Sequence, residues 1–199
     1  MLYTKSTYSG LDINIQNLQT YLYPKLKDLW NLTDATYDCF GRAYMNETQD
    51  AGIIPEVYYG GTPEYREVLF DDTKSAISFF GVNPTIKNIG ATANAQVFLI
   101  FMINMGLLKP GVTDSYPDEL LHTDVQKMCY EGIFNFSKTG FVTGTKDVFK
   151  EYSGARIKEG IKYRDMSPLH CFRINFNLIY KITACSAQPE TNAGGFIRT

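Results

Sequence analysis

The stretch from Cys171 to Ile182 constrains this chain more than any other. Its even positions, Phe172, Ile174, Phe176, Leu178, Tyr180 and Ile182, are all apolar, while the odd positions include Arg173, Asn175, Asn177 and Lys181. Strict alternation sends successive side chains to opposite faces of a β-strand. Burial of each large apolar side chain contributes roughly 1.5–3 kcal/mol, so the even face must meet a core. A one-residue slip would exchange Phe176 for Asn175 there, which fixes the register. The odd face is expected to meet water or a partner, with Ile179 its one apolar residue. The segment predicts a long central strand.

A second apolar segment, Ala95 to Met105, has no polar face and predicts an element buried on both sides. Its branched and aromatic content favours a strand over a helix. Before it lie three shorter runs bounded by turn residues: Glu56–Tyr59, Tyr65–Phe70 and Ala76–Val82. Their short spacing predicts antiparallel hairpins. Gly52 to Pro55 is read as a break, and residues 83–94, with Pro, Gly, Ala, Thr and Asn, as an extended loop.

Helical periodicity appears in two places. From Asp12, a candidate N-cap, Ile15, Leu18 and Leu22 recur on one face. Pro24 is expected to kink or restart that helix before Leu26, Leu29 and Trp30. Residues 118–134 carry Leu121, Val125 and Met128 on one face, with Cys129 beside it. Thr123 and Gln126 form a candidate capping box, from which the helix would start afresh. Weaker patterns predict short helices within 33–46, ending near Gly41, and over 146–152, closed by Gly154.

These elements predict an α+β fold: a single mixed or mostly antiparallel sheet flanked by helices on one face. One domain over residues 1–185 is expected, with an N-terminal arm (1–10) and a polar C-terminal arm (186–199). A chain of 199 residues is long enough for such a core. The net charge of −2 argues against wholesale coating of nucleic acid, though not against a local basic face. Cys39, Cys129, Cys171 and Cys185 lack CxxC spacing and read as reduced, buried small hydrophobes. Met1 to Lys5 lacks the build of a signal peptide, and no apolar run approaches the roughly 20 residues of a membrane span. A soluble protein made in a cytoplasm is the expectation.

The sequence carries few motifs with a chemistry of their own. The sequence has no glycine-rich phosphate loop, no GxSxG, no HExxH and no EF-hand loop. His122 and His170 lie far apart in sequence. His170 and Cys171, being adjacent, would point to opposite faces of a strand and so not converge with Cys185 on a metal. Asp71-Asp72 follows a strand and reads as a turn before it reads as a paired carboxylate. The basic series Arg156, Lys158, Lys162 and Arg164 surrounds Tyr163. It reads as a solvated, charge-protected edge strand, or as a DNA-channel or interface contact. No catalytic residue, cofactor or metal ligand is assigned.

Several stretches together resemble neck and tail structural proteins of crAss-like bacteriophages: Phe40-Gly41-Arg42-Ala43-Tyr44, Ile54-Pro55-Glu56-Val57-Tyr58, Tyr65 to Asp72, Phe79-Phe80 and Asp165 to His170. The order of elements is similar to that of a tail-terminator or head–tail connector ring subunit. The resemblance implies a virion component, not an enzyme. It would form a homo-oligomeric ring, twelve copies favoured over six, that joins the portal to the tail. Its partners would be the portal protein, adjacent neck and tail rings, and genomic DNA passing without sequence specificity, with no membrane. A non-channel virion or host-interaction module, and a small enzyme using Asp71, Asp72 or His170, stay open as alternatives.

Overall fold

A computed structural model of the chain describes residues 1–48, 52–60, 64–68, 70–89, 91–111, 117–131, 136–143, 145–154 and 168–181. The fold is α+β, built on a mixed six-stranded sheet. Its strands are β1 (Leu2–Tyr3), β2 (Tyr37–Arg42), β6 (Ala76–Ile89), β7 (Thr92–Asn104), β9 (Leu169–Lys181) and β8 (Phe136–Thr143), in that spatial order. β1, β2 and β6 are parallel neighbours, and β6 through β8 are antiparallel. A separate three-stranded antiparallel sheet, β3 (Tyr44–Thr48), β4 (Gly52–Tyr58) and β5 (Tyr65–Glu67), stands where the sequence predicted one sheet in all.

The two strongest sequence signals form the centre. β9 pairs along its whole length with β7, Phe176 opposite Val97 and Ile174 opposite Leu99. Phe172, Ile174, Phe176 and Leu178 are buried in one core with Phe80, Val97, Leu99 and Phe101. Helices α1 (Leu11–Leu29) and α3 (Pro117–Glu131) supply the other side through Ile15, Leu18, Leu22, Leu26, Leu121 and Val125. Trp30 joins the two helices, its indole N–H donating to Asp124 at 2.9 Å.

The opposite sheet face is covered too, over half its length, which corrects the one-sided arrangement expected. Phe79, Phe98, Ile100 and Met102 pack there against Val57 of β4, Val68, Phe149 and Tyr152. Phe149 and Tyr152 follow the short helix α4 (Thr145–Val148), which is smaller than the helix predicted over 146–152. Gly81 lies opposite Phe98 in the β6–β7 pair. A Cβ on Gly81 would stand 2.0 Å from the Phe98 ring, so only glycine lets that ring lie across the strand.

Other expectations are overturned. Residues 37–42 are a strand, not part of a short helix. Tyr37 to Phe40 are buried without a break because β2 is sandwiched between β1 and β6 with both faces covered. Residues 83–94 are not a loop: β6 runs on to Ile89 and turns directly into β7, the irregularity between Val82 and Ile86 absorbing Pro84. Gly52 to Pro55 lies inside β4, where Pro55 supplies only its carbonyl, to the Val68 N–H at 2.9 Å. α1 does not restart at Pro24 but runs through it, and α3 runs unbroken through Thr123, whose hydroxyl donates back to the Glu119 carbonyl. The first residues of the expected N-terminal arm include β1, so β1–α1–β2 is a parallel unit with its crossover helix on the sheet. Residues 182–199, including Cys185 and the expected C-terminal arm, lie outside the described residues. Among the described residues, no helix is long and apolar enough to cross a membrane.

Candidate functional site

The series singled out in the sequence, Arg156, Lys158, Lys162 and Arg164, lies outside the described residues. The remaining candidates have defined positions. Asp71 caps a turn: its carboxylate accepts from the Thr73 N–H at 2.9 Å and from the Thr73 hydroxyl at 2.6 Å. Those two hydrogen bonds hold its carboxyl below the usual carboxylate range. Both hydrogen bonds go to Oδ1, so the turn engages one of the two carboxylate oxygens.

His122 and His170, which sequence distance kept apart, converge. Their Nε2 atoms lie 2.8 Å apart and the rings stack at 5.0 Å, against Phe172. The parity of β9 accounts for half of this, since His170 shares the even face with Phe172. His122 follows Leu121 on the buried side of α3, and no local signal says that α3 crosses β9 at this level. Among the described residues, no group of three or more His, Cys, Asp and Glu is placed to hold a metal ion.

Arg173 departs from the solvent-facing role expected of the odd face. It is buried, paired through both terminal nitrogens with Glu151 (Nη2 to Oε1, 2.8 Å). Its Nε donates to Asn175 at 2.5 Å, and the guanidinium lies 3.8 Å from the Phe98 ring centroid. α4 and Tyr152 close over this half of the sheet, so the arginine is a structural pair.

Another polar cluster fixes the start of α1. Gly10 occupies the N-cap position, and Asp12, instead of capping, accepts from Arg42 at 3.2 Å and from the Tyr44 hydroxyl at 2.8 Å. Lys5 completes it, 3.0 Å from that hydroxyl and 3.6 Å from Asp12. Two cations share one carboxylate there, and the buried Arg42 Nε has no hydrogen-bond partner among the described residues; the cluster joins the N-terminal segment and α1 to the β2–β3 junction.

Among the described residues, the far half of the sheet face that α4 does not reach is left uncovered. Cross-strand register puts Lys87, Asn94 and Ile179 in one row, Gln96 and Asn177 in the next, and Thr92 with Lys181 at the end. Asn83 donates to Gln96 at 3.2 Å. Lys87, Asn94, Gln96 and Asn177 line an open groove of about 160 Å³. Lys87, Gln96, Ile179 and Lys181 are exposed.

The charge pattern of this region is one-signed. All 21 Asp and Glu residues of the chain lie outside β6, β7, β8 and β9. Within those strands the charged residues are Lys87, Lys138, Arg173 and Lys181, and Glu151 neutralises Arg173. A protein of net charge −2 therefore presents an amide-rich sheet face with two exposed lysines, neither of which makes an ion pair among the described residues. The face can donate hydrogen bonds to anionic oxygens, and its own strands put no carboxylate among them. No protein-family model matches this chain, and no curated protein matches it.

Proposed function

We propose that this chain is a structural subunit of a phage neck or tail ring, assembled head to tail in twelve copies, with six as the other closed arrangement. The ring joins the portal to the tail and surrounds the DNA channel in the virion, next to the portal protein and the adjacent rings. Its role is assembly, not catalysis. The sequence resemblance motivates this reading, and one feature of the sheet supports it. Beyond Phe80, β6 has no strand on its outer side among the described residues, while β8 edges the same ribbon on the other side. β6 and β8 run in opposite senses. Identical copies placed side by side in one orientation therefore bring β8 of one against β6 of the next as an antiparallel pair. That contact uses two different patches, the heterologous kind that closes into a ring. The irregularity at Pro84 and the charge of Lys87 guard β6 against indiscriminate pairing.

Mass photometry and electron microscopy of the full-length protein test the ring directly, with a closed particle of twelve subunits expected. A mixture of Lys87→Cys and Ser137→Cys subunits, two positions that register assigns to the same sheet face, should cross-link preferentially between unlike chains. A monomer or a twofold dimer in the intact virion, or cross-links only between like positions, overturns the proposal.

A further inference from the structure

We infer that the open half of the sheet face, centred on Lys87, Asn94, Gln96, Asn177 and Lys181, is a contact surface for the phosphate backbone of duplex DNA. This rests on the ring reading for its biological setting.

Three observations carry it. The four strands contain no carboxylate, so a polyanion meets no repulsion from the strands' own side chains. The side chains offered there, lysine ammonium and Asn or Gln carboxamide, are among those that hydrogen-bond phosphate oxygens and carry no sequence information in doing so. The face is also extended and open, with Lys87 two residue pairs along the β6–β7 ladder from Ile89 and Lys181 level with Thr92. A free phosphate would find no enclosing ring of donors, whereas a run of phosphates can span both lysines. A lipid surface requires a contiguous apolar face that inserts, and Ile179 stands here as a single exposed apolar side chain among carboxamides and lysines. Two lysines per copy give weak, salt-sensitive contacts, which suit DNA that must slide through without being held.

The test titrates a labelled random-sequence duplex against the full-length protein by fluorescence anisotropy, between about 50 and 200 mM salt. The Lys87→Glu/Lys181→Glu variant should bind at least tenfold more weakly at low salt. Its log–log salt slope should fall by roughly 0.9 for each phosphate contact removed. Lys25→Glu/Lys127→Glu changes net charge equally on the helical side and should leave both quantities unchanged. Equal losses in the two variants, or no loss in the first, overturn the inference. So does a wild-type protein that ignores the duplex, or one whose face variant loses phosphatidylserine vesicles instead. Mass photometry of the same samples separates the two proposals. An intact ring that does not bind duplex removes only the DNA face, whereas a monomer whose duplex binding depends on Lys87 and Lys181 removes only the ring.

Discussion

Arg173 and Glu151 meet as a two-pronged ion pair beneath α4, with the Arg173 guanidinium stacked 3.8 Å from the centre of the Phe98 ring. The pair joins β9 to the segment after α4 and closes one end of the second core. Arg173 also donates to the Val148 carbonyl at 3.3 Å, so its position is set by backbone as well as by charge. Beyond it, along the same face of the same strand, the covering layer stops and the amide-rich surface begins. This pair marks the boundary between core and candidate contact surface.

Breaking the pair from one side leaves a buried charge alone. Glu151→Ala should therefore destabilise the fold by about 3–5 kcal/mol in urea unfolding. The double variant Glu151→Leu/Arg173→Met removes both charges and should recover most of that loss. A double variant as unstable as Glu151→Ala would show that the arginine acts mainly through its stacking on Phe98.

Gly81→Ala tests the close approach of Phe98 to β6. The added methyl collides with a ring buried on both sides, and overpacking of this kind costs about 1–3 kcal/mol or more. Gly140→Ala, where no atom lies within 4 Å of the new Cβ, should change the thermal midpoint far less. Equal shifts for the two variants would disprove the ring-over-glycine packing.

The two faces of β9 can be separated by one pair of substitutions. Phe176→Asp places an unpaired charge in the main core and should abolish the cooperative unfolding transition. Asn177→Asp adds the same group to a half-buried site on the open face, and its effect on stability should stay within about 0.5 kcal/mol. Circular dichroism and urea titration of the two proteins give the comparison, and similar unfolding by both would refute the assigned faces.

Acid stability should carry a small signature of the Asp71 turn. Its carboxyl is held below the ordinary value in the folded chain, so deprotonation favours the folded form. That contribution is fully present above the unfolded value and is lost as pH falls through the lower, folded one. Because the group is largely exposed, screening keeps its worth below about 1 kcal/mol. Asp71→Asn should lower stability near neutral pH by that amount and flatten the decline below about pH 4. A variant whose acid limb parallels the wild type would assign the decline to other carboxylates.

The sequence by itself determined the elements whose side-chain period is unambiguous. The alternation of β9 set both its register and its buried face, and the unbroken apolarity of Val97 to Ile103 placed β7 at the centre. The spacing of Ile15, Leu18 and Leu22 oriented α1. Tertiary structure decided the rest. Residues 37–42 are a strand because β1 and β6 flank them, a long-range fact absent from a segment whose local pattern is ambiguous. Arg173 occupies a polar position in the alternation, yet it is buried because Glu151, 22 residues away, reaches it. His122 and His170 meet only because α3 lies across β9. The absence of acid from β6 to β9 was written in the sequence, but it became one surface only through register. Hydrogen bonding between strands lined up Lys87 with Asn94 and Gln96 with Asn177, pairings that local periodicity does not encode. Period is a property of neighbours along the chain, whereas a surface is shared among strands that only folding brings together.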